Sequence, residues 1–455
     1  MGCLAQASYL VADQSSGEAA VIDPQRDVAQ YVEDARALGC RIAHVFLTHF
    51  HADFVAGHLE LRNAENATIH LSAGAGAEFD FEPMGDGAVV HLGAIRLEVL
   101  QTPGHSPESM SILVHDPEFS HDAPYAVLTG DTLFIGDVGR PDLRAAQGWT
   151  AEGLGSMLYD SLQKFASLPD DTLVYPGHGA GSLCGKDLST DTVSTMGVQR
   201  RCNYALQPMN RQQFIEIVTA DQPDTPAYFT HAALLNTRER QTLDEALERE
   251  LRPLSLDEAL ELLDDGAQLL DARDPVDFAG AHMRGSINVG LGGSFATWCG
   301  TVLDIERPIV LVAASNREFE AATRLGRIGC DTVAGYLAGG MRTLDDAPHL
   351  VDRVERITAG ALAERLASTQ PPLLIDVRSE REWHERRIEQ AVHIPLSRLA
   401  ERIGTLPAGR ALVVHCTSDY RATIAASLMR RAGLRDVATL VGGVAAWESI
   451  SAAPL

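Results

Sequence analysis

The stretch "LTHFHADFVAGH" (Leu47–His58) follows an apolar run and carries His49, His51 and Asp53 at alternate positions. Alternate side chains of an extended segment point to one side, so these three potential metal ligands aim toward one point. Three more residues of ligand type repeat the order of apolar strand, glycine turn and ligand: His105 in "TPGHS", Asp131 in "LTGDTLF" and His178 in "YPGHG". The pattern predicts a metal site built at strand ends.

This set resembles the metallo-β-lactamase superfamily, whose motif T-H-x-H-x-D-H is followed by a histidine, a bridging aspartate and a last histidine. Thr48 and the six residues above match that order. The resemblance implies an α/β fold, the αββα sandwich of that superfamily, over residues 1–236. The strands expected there are Tyr9–Val11, Ala20–Ile22, His44–Leu47, Ile95–Leu100 and Ala126–Thr129.

One position departs from the motif, because Phe54 stands where the last histidine is expected. Phenylalanine offers no lone pair, so a second metal loses a ligand and a dinuclear zinc site is disfavoured. His58, expected one helical turn beyond Phe54, is the alternative ligand. Two histidines and one carboxylate around a single ion form the facial triad of non-haem iron(II).

Within the superfamily this chemistry resembles that of the persulfide dioxygenases. The resemblance implies one Fe(II) per chain held by His49, His105 and Asp131. It also implies that three neighbouring residues orient ligands and water by hydrogen bonds: His51, Asp53 and His178.

Two residues are candidates for binding the substrate. Arg140 lies in "IGDVGRPDL" (Ile135–Leu143), which resembles a persulfide-dioxygenase loop. Its guanidinium suits bidentate binding of a substrate carboxylate, and a salt bridge to Asp137 or Asp142 is the alternative. Tyr175, just before "PGHG", either touches substrate or packs in the core.

The chain holds seven cysteines, and none forms a C-x-x-C pair. Scattered single cysteines argue against a disulfide framework and fit a reducing cytoplasm, where each acts as a thiolate or not at all. Cys202 follows Arg200 and Arg201, whose charges favour the thiolate, so it is a candidate sulfur relay with an inert cysteine as the alternative. Cys184 is weighed in the same way.

The second half of the chain contains an internal repeat. The stretch Leu254–Val289 is echoed by Ile357–Pro395, each with a strand ending in D-A-R or D-V-R and each leading to a second strand and a Gly-Gly turn. Two doubly wound α/β domains are therefore expected at 254–348 and 356–455. A charged helical linker is expected at 237–253.

In the last domain Cys416 stands at the end of an apolar strand in "VVHCTSDYRATIAASLM". Amides that curl around a cysteine at a helix N-terminus stabilise its thiolate, and Arg421 adds a positive charge. This loop resembles that of the rhodaneses, which implies sulfur transfer by Cys416 and Arg421. Asp419 replaces the usual glycine, so we expect it to oppose anionic donors such as thiosulfate.

The middle domain keeps "LLDAR" and the Gly-Gly turn but reads "LVAASNREF" where the loop is expected. Aligning the flanking strands sets Ala314 against Cys416. Alanine carries no sulfur, so this copy is interpreted as a scaffold or interface domain.

The net charge is −25, which disfavours binding to nucleic acid or to anionic membranes. No run approaches the ~20 apolar residues that a membrane span requires. The combination resembles persulfide dioxygenase–rhodanese fusion proteins. It implies partners that are small molecules (a thiol persulfide, O₂, sulfite and thiosulfate), a cytoplasmic location and a homo-oligomer, either dimer or tetramer.

Two alternatives come from other classes of function. One is a thiolester hydrolase of the glyoxalase II type with two zinc ions, against which Phe54 argues. The other is a sulfur carrier or redox sensor without catalysis, against which the intact ligand set argues.

Overall fold

The computed structural model describes residues 4–451, without the side chains of residues 146 and 451. The chain forms two compact units. Among the described residues, the first unit comprises those up to Ala246 together with Gly326–Gly329, and the second comprises Leu247–Leu325 and those from Cys330 onward.

The strands of the first unit are β1 (Tyr9–Asp13), β2 (Glu18–Ile22), β3 (Arg41–Phe46), β4 (Thr68–Ser72), β5 (Glu82–Met84), β6 (Val89–Leu92), β7 (Ile95–Gln101), β8 (Met110–His115), β9 (Ala126–Gly130), β10 (Leu173–Pro176) and β11 (Ser194–Thr195). Its helices are α1 (Ala29–Ala37), α2 (His58–Glu65), α3 (Ala151–Lys164), α4 (Met196–Cys202), α5 (Arg211–Thr219) and α6 (Tyr228–Leu235). Helix α7 (Leu243–Glu250) contains the residue at which this unit ends. It is the helical part of the predicted linker.

Two sheets face each other in the first unit, in the strand orders β1-β2-β3-β4-β5 and β11-β10-β9-β8-β7-β6. Alternation along the central strands places successive side chains on opposite faces. Ile112 and Leu128 enter the core between the sheets, whereas their neighbours Leu113 and Val127 pack on the side of α3 and α5. Both faces of β8 and β9 are therefore buried, which explains their continuous apolar sequence.

The potential metal ligands follow the carboxyl ends of four strands. His49 comes after β3, His105 after β7, Asp131 after β9 and His178 after β10. The glycine that precedes Asp131 is required for steric reasons. Gly130 has a φ of +49°, and a Cβ there would lie 2.6 Å from Thr48 Oγ1. The turn that delivers Asp131 is thus closed to larger residues.

The strands of the second unit are β12 (Pro253–Leu254), β13 (Gln268–Asp271), β14 (His282–Met283), β15 (Ile287–Asn288), β16 (Ile309–Val312), β17 (Val333–Leu337), β18 (Val351–Asp352), β19 (Glu355–Ile357), β20 (Leu373–Asp376), β21 (Val392–His393), β22 (Leu412–His415) and β23 (Val437–Leu440). Its helices are α8 (Leu256–Asp264), α9 (Pro275–Gly280), α10 (Phe295–Val302), α11 (Glu318–Gly326), α12 (Ala359–Leu366), α13 (Glu380–Glu385), α14 (Leu399–Arg402), α15 (Tyr420–Arg431) and α16 (Gly443–Ser451). The carboxyl end of α11 belongs to the first unit.

The two halves of the second unit have the same topology. Their parallel sheets run β12-β17-β16-β13-β15 and β19-β23-β22-β20-β21, so each strand has a counterpart at the same place. The internal repeat expected from the sequence is therefore a repeat of the fold.

Strand register corrects one alignment made from the sequence. Asp271 lies opposite Val312, and Asp376 lies opposite His415. The residue that follows each central strand is thus Ala313 in the middle domain and Cys416 in the last domain. The counterpart of Cys416 is Ala313 rather than Ala314, because single-residue shifts in a short loop leave little pattern to align.

Among residues 4–451, no helix is both long enough and apolar enough to cross a membrane.

Candidate metal centre and sulfur-transfer loop

His49, His105 and Asp131 meet in one buried cluster. Asp131 Oδ2 lies 3.8 Å from His49 Nε2 and 3.5 Å from His105 Nε2. Two atoms that bind one ion at about 2.1 Å must lie within about 4.2 Å of each other, and both pairs satisfy this. The structure thus brings together the three ligands that the sequence predicted.

Hydrogen bonds at the δ nitrogens orient both histidines. Thr48 Oγ1 donates to Asp23 Oδ2 over 2.8 Å, so its lone pair is available to the Nδ1–H of His49 at 3.0 Å. His105 Nδ1 lies 2.9 Å from the carbonyl oxygen of Arg140, to which it donates. In each case the remaining Nε2 is an acceptor turned toward Asp131, which is the tautomer that binds a metal.

Burial sets the charges of this cluster. It lowers the pKa of His105 to about 3 and places that of His49 well below its ordinary value, with a smaller contribution from the positive charge of Arg144. Burial also raises the pKa of Asp131 to about 6. At neutral pH the cluster therefore holds two neutral imidazoles and one carboxylate, which is the state that binds a divalent cation.

His51, Asp53 and His178 form a second buried cluster beside the first. His178 Nε2 lies 3.5 Å from Asp53 Oδ2 and 3.5 Å from Asp131 Oδ2. His51 Nε2 lies 3.0 Å from Asp23 Oδ1. Burial alone would lower the pKa of His51, but the carboxylate of Asp23 raises it overall. The second cluster thus contacts the first through Asp131.

Phe54 is fully buried, and its ring lies 4.3 Å from the ring of His51. It fills space beside the second cluster with hydrocarbon. Helix α2 begins at His58, so this residue does not follow Phe54 along one helix as expected. His58 packs against Phe79 with ring centroids 4.7 Å apart, and the clusters of potential ligands among the described residues do not include it.

The polar atoms of both clusters fit a metal ion. Buried nitrogen or oxygen atoms of His49, Asp53, Asp131 and His178 have no hydrogen-bond partner within the described chain. Orphaned buried polar atoms are costly unless a further group satisfies them. Two imidazoles and one carboxylate suit iron(II) or zinc and leave coordination positions open.

Cys184 belongs to the same region, although the sequence left its role open. Its thiol, together with Asp131 and His178, forms a third group of potential ligands. Burial and the nearby carboxylates of Asp53 and Asp131 place the pKa of Cys184 well above its ordinary value. The only signal in the sequence is its position six residues after His178.

Arg144 is a buried cation near the cluster that the sequence analysis missed. It pairs with Glu108 at 3.0 Å, and the same carboxylate oxygen accepts the amide N–H of Phe50 at 3.0 Å. Phe50 separates His49 from His51, so this ion pair fixes the segment that carries both histidines.

Arg140 forms the salt bridge that the sequence analysis gave as the alternative to binding substrate. Its guanidinium is buried and forms a bidentate pair with Asp142 at 2.7 Å for both bonds, with a further bond to Thr225. The face expected to bind a substrate carboxylate is thus occupied by Asp142. Its carbonyl oxygen instead orients His105.

Tyr175 is half-buried and packs against the core between the two sheets, with its ring 5.4 Å from that of Tyr9. This corresponds to the packing alternative. Cys202 ends α4 with its thiol exposed, and Arg200 is paired with Asp170. The described clusters of potential metal ligands do not include Cys202, so the structure gives the proposed relay no geometric support.

Cys416 lies at the end of β22 and is 1% exposed. Backbone N–H groups of Ser418, Arg421 and Ala422 donate toward its sulfur, as the predicted cradle requires. Burial nevertheless raises the pKa of Cys416, and these amides with the charge of Arg421 offset only part of that effect. The amides and Arg421 thus favour the thiolate, as expected from the sequence, but they act against a larger effect of burial.

Glu382 holds the far side of the loop, and the sequence analysis did not single it out. Its carboxylate accepts two hydrogen bonds of 2.7 Å from Arg421 and one of 2.7 Å from Thr417. Because Arg421 is paired, it contributes less positive potential at Cys416 than a free arginine would.

Asp419 is paired with Arg356 of β19. Its negative charge is therefore compensated by Arg356, which reduces the repulsion of anionic donors that a free carboxylate would exert.

Comparisons with known proteins match both units of the chain. Residues 1–178 match the metallo-beta-lactamase superfamily, and residues 255–346 and 358–450 match the rhodanese-like domain. A metallo-beta-lactamase of known structure from Staphylococcus aureus is 32% identical, with a TM-score of 0.67, and the match covers 73% of this chain and 96% of that one.

Relatives of the first unit include persulfide dioxygenases and hydroxyacylglutathione hydrolases. The mitochondrial persulfide dioxygenase of Homo sapiens is 31% identical over 216 residues, which are 46% of this chain and 75% of the human protein. A hydroxyacylglutathione hydrolase of Bradyrhizobium sp. is 32% identical over 173 residues, 37% of this chain and 61% of that enzyme. The fold, the ligand clusters and the coverage of the human enzyme together show that the chain belongs to the persulfide dioxygenase family of the metallo-β-lactamase superfamily, with two rhodanese-like domains fused to it.

Proposed function

We propose that the first unit oxidises a low-molecular-weight thiol persulfide at one Fe(II). The balanced reaction is RSSH + O₂ + H₂O → RSH + SO₃²⁻ + 2H⁺. The observation that carries this proposal is the cluster of two neutral histidines and one carboxylate, beside which Phe54 takes the place of a second-metal ligand. His49, His105 and Asp131 would hold the ion, which would bring O₂ and the persulfide sulfur together.

Protein groups around the cluster suit an anionic substrate. Arg144 is buried and close enough to lower the pKa of both His49 and His105. The same positive potential favours approach of a persulfide anion. Thr48 and the carbonyl oxygen of Arg140 hold the two imidazoles in position, so little reorganisation is needed during turnover.

We further propose that Cys416 carries sulfane sulfur. The thiolate of Cys416 attacks the outer sulfur of a donor RSSH, the donor S–S bond breaks, and RSH leaves with the donor's proton. Sulfite then attacks the outer sulfur of the Cys416 persulfide, and thiosulfate leaves as the thiolate of Cys416 is restored. The amides of Ser418, Arg421 and Ala422 stabilise negative charge on sulfur in both states.

The test is oxygen uptake on a panel of thiol persulfides by protein of measured metal content. We expect uptake to scale with bound iron and to be lost in His105→Ala. His121→Ala, an exposed histidine outside both clusters, is the matched control and should keep full activity. Uptake that scales with zinc, or that survives in His105→Ala, would contradict the proposal.

A hydrolase is the second candidate, favoured by the resemblance to hydroxyacylglutathione hydrolase and by the second cluster. It requires two metal ions and thiolester turnover without oxygen. Assaying the zinc-loaded protein with thiolesters under nitrogen separates the two functions.

A further inference from the structure

We propose that the middle domain, which lacks a loop cysteine, holds the Cys416 loop in its sulfur-accepting conformation through Tyr420. This assigns a positioning function to a domain that cannot carry sulfur itself. The inference rests on the proposed role of Cys416 as the sulfur carrier.

Tyr420 reaches from the loop onto the middle domain. Its hydroxyl donates to the carbonyl oxygen of Gly290 over 2.8 Å. A Cβ at Gly290 or at Gly293 would lie 3.6 Å or 3.5 Å from the tyrosine ring, so the ring rests directly on this glycine-containing segment. The contact therefore combines a hydrogen bond with close packing.

The position of Tyr420 within the loop makes this contact consequential. Ser418 and Arg421 both point amides at the sulfur of Cys416, and the two residues between them are anchored by their side chains. Asp419 pairs with Arg356 of its own domain, and Tyr420 bonds to Gly290 of the middle domain. Two anchors, one to each domain, therefore fix the peptide between the amide donors.

Two further contacts of the last domain lie outside the loop. The amide N–H of Asn288 donates to Ser427 Oγ over 3.0 Å, and Arg430 pairs at 2.6 Å with Asp352 of β18, a strand that pairs with β14 of the middle domain. These contacts hold α15 against the middle domain at a distance from Cys416 along the helix. They supply a comparison that separates loop positioning from general stability of the interface.

Several charged groups surround Cys416 and set the background for any pH measurement. They are Arg421 and Glu382, His415, Asp376 and Arg378, and, at the mouth of the loop, Asp419, Arg356 and Asp274. None of them is altered by removing the hydroxyl of Tyr420, so a change in that variant reports on the amides.

The experiment uses the full-length, metal-loaded protein with Tyr420→Phe. The rate of Cys416 alkylation by iodoacetamide is measured across pH by peptide mass, and sulfur transfer is measured as kcat and KM. We expect the alkylation profile to move to higher pH and kcat to fall about 3- to 10-fold with little change in KM, since one net hydrogen bond is lost. Tyr420→Ala should give a larger shift in the same direction.

Ser427→Ala is the matched control, because it also removes one hydrogen bond between the same two domains. It should leave the alkylation profile and kcat unchanged. The proposal is overturned if Tyr420→Phe behaves as wild type, or if Ser427→Ala produces the same shift. Alkylation does not depend on sulfur transfer, so a protein without sulfurtransferase activity would refute the proposed function and still test this inference.

Discussion

At the scale of single residues, metal binding by the cluster of His49, His105 and Asp131 depends on which ring nitrogen each histidine presents. Thr48 fixes His49 and the carbonyl oxygen of Arg140 fixes His105, and both leave Nε2 turned toward Asp131. Phe54 acts differently, since it brings hydrocarbon where the superfamily motif has a ligand. One residue thereby biases the choice between one metal ion and two.

Replacing Phe54 by histidine should raise metal binding from about one ion per chain toward two, because an imidazole would join Asp53 and His178. Elemental analysis after zinc loading measures this. Phe79→His, a buried phenylalanine outside the clusters, is the control and should stay near one ion. A Phe54→His protein that still binds one ion would show that another feature excludes the second metal.

Iron affinity should depend on pH through Asp131. Its pKa of about 6 is raised, so below that value a proton occupies the carboxylate and competes with the metal. The histidine pKa values are lowered, so His49 and His105 compete only in stronger acid. We expect the Kd for Fe(II) to rise about tenfold per pH unit below about 6 and to stay level above pH 7. Anaerobic Fe(II) titrations between pH 5 and 7.5 measure this dependence. A Kd that does not change with pH below 6 would contradict the role of Asp131.

At the scale of elements, a buried ion group anchors α2 behind the metal-binding segment. Glu60 on this helix accepts two hydrogen bonds from Arg240, at 2.7 and 3.0 Å, and one from Arg26 at 3.1 Å. Burial alone would raise the pKa of Glu60, but the two arginines lower it to about 2. All three side chains are buried, so each depends on the others for compensation.

Glu60→Gln should destabilise the first unit by about 3–5 kcal/mol, because two buried guanidinium groups lose their counter-charge. The free energy of unfolding is measured from the urea transition of the first unit. Glu65→Gln on the same helix is the control, because it breaks only a surface ion pair with Arg36 and should cost at most about 1 kcal/mol. Because the folded pKa is lowered, this contribution is complete above pH 4.5 and declines as the pH falls toward 2. Equal effects of the two variants would show that the buried group is not a structural anchor.

At the scale of the whole molecule, the candidate metal ligands and Cys416 belong to different compact units. We expect Cys416→Ser to retain most of the oxygen uptake and His105→Ala to retain alkylation of Cys416 at wild-type rate. An oxygen electrode measures the oxygen uptake, and peptide mass measures the alkylation of Cys416. Loss of oxygen uptake in Cys416→Ser would mean that the persulfide on Cys416 is itself the substrate of the metal site.

Sequence patterns predicted the site residues that lie in short local motifs. They missed the residues whose role depends on a partner far away in the sequence. The candidate metal ligands and Cys416 each follow a strand and lie in a short motif, so their order along the chain was enough to single them out. Glu382 lies 39 residues from Arg421, and Arg144 lies 36 residues from its partner Glu108. Only folding brings such pairs together. For Arg140 the sequence left two roles open, and the structure shows the local one, a salt bridge to Asp142 two residues along the chain.

The enclosure of Cys416 has a consequence for the fate of the carried atom. A sulfur bound there would be screened from the abundant free thiols of a cell, which reduce exposed persulfides by direct attack. Its lifetime would then be set by how often the loop admits an acceptor, and not by the concentration of reductant outside. Molecules of this protein that carry sulfur on Cys416 would therefore release it selectively. The choice among acceptors would be made when an acceptor enters the loop, before any S–S bond is exchanged.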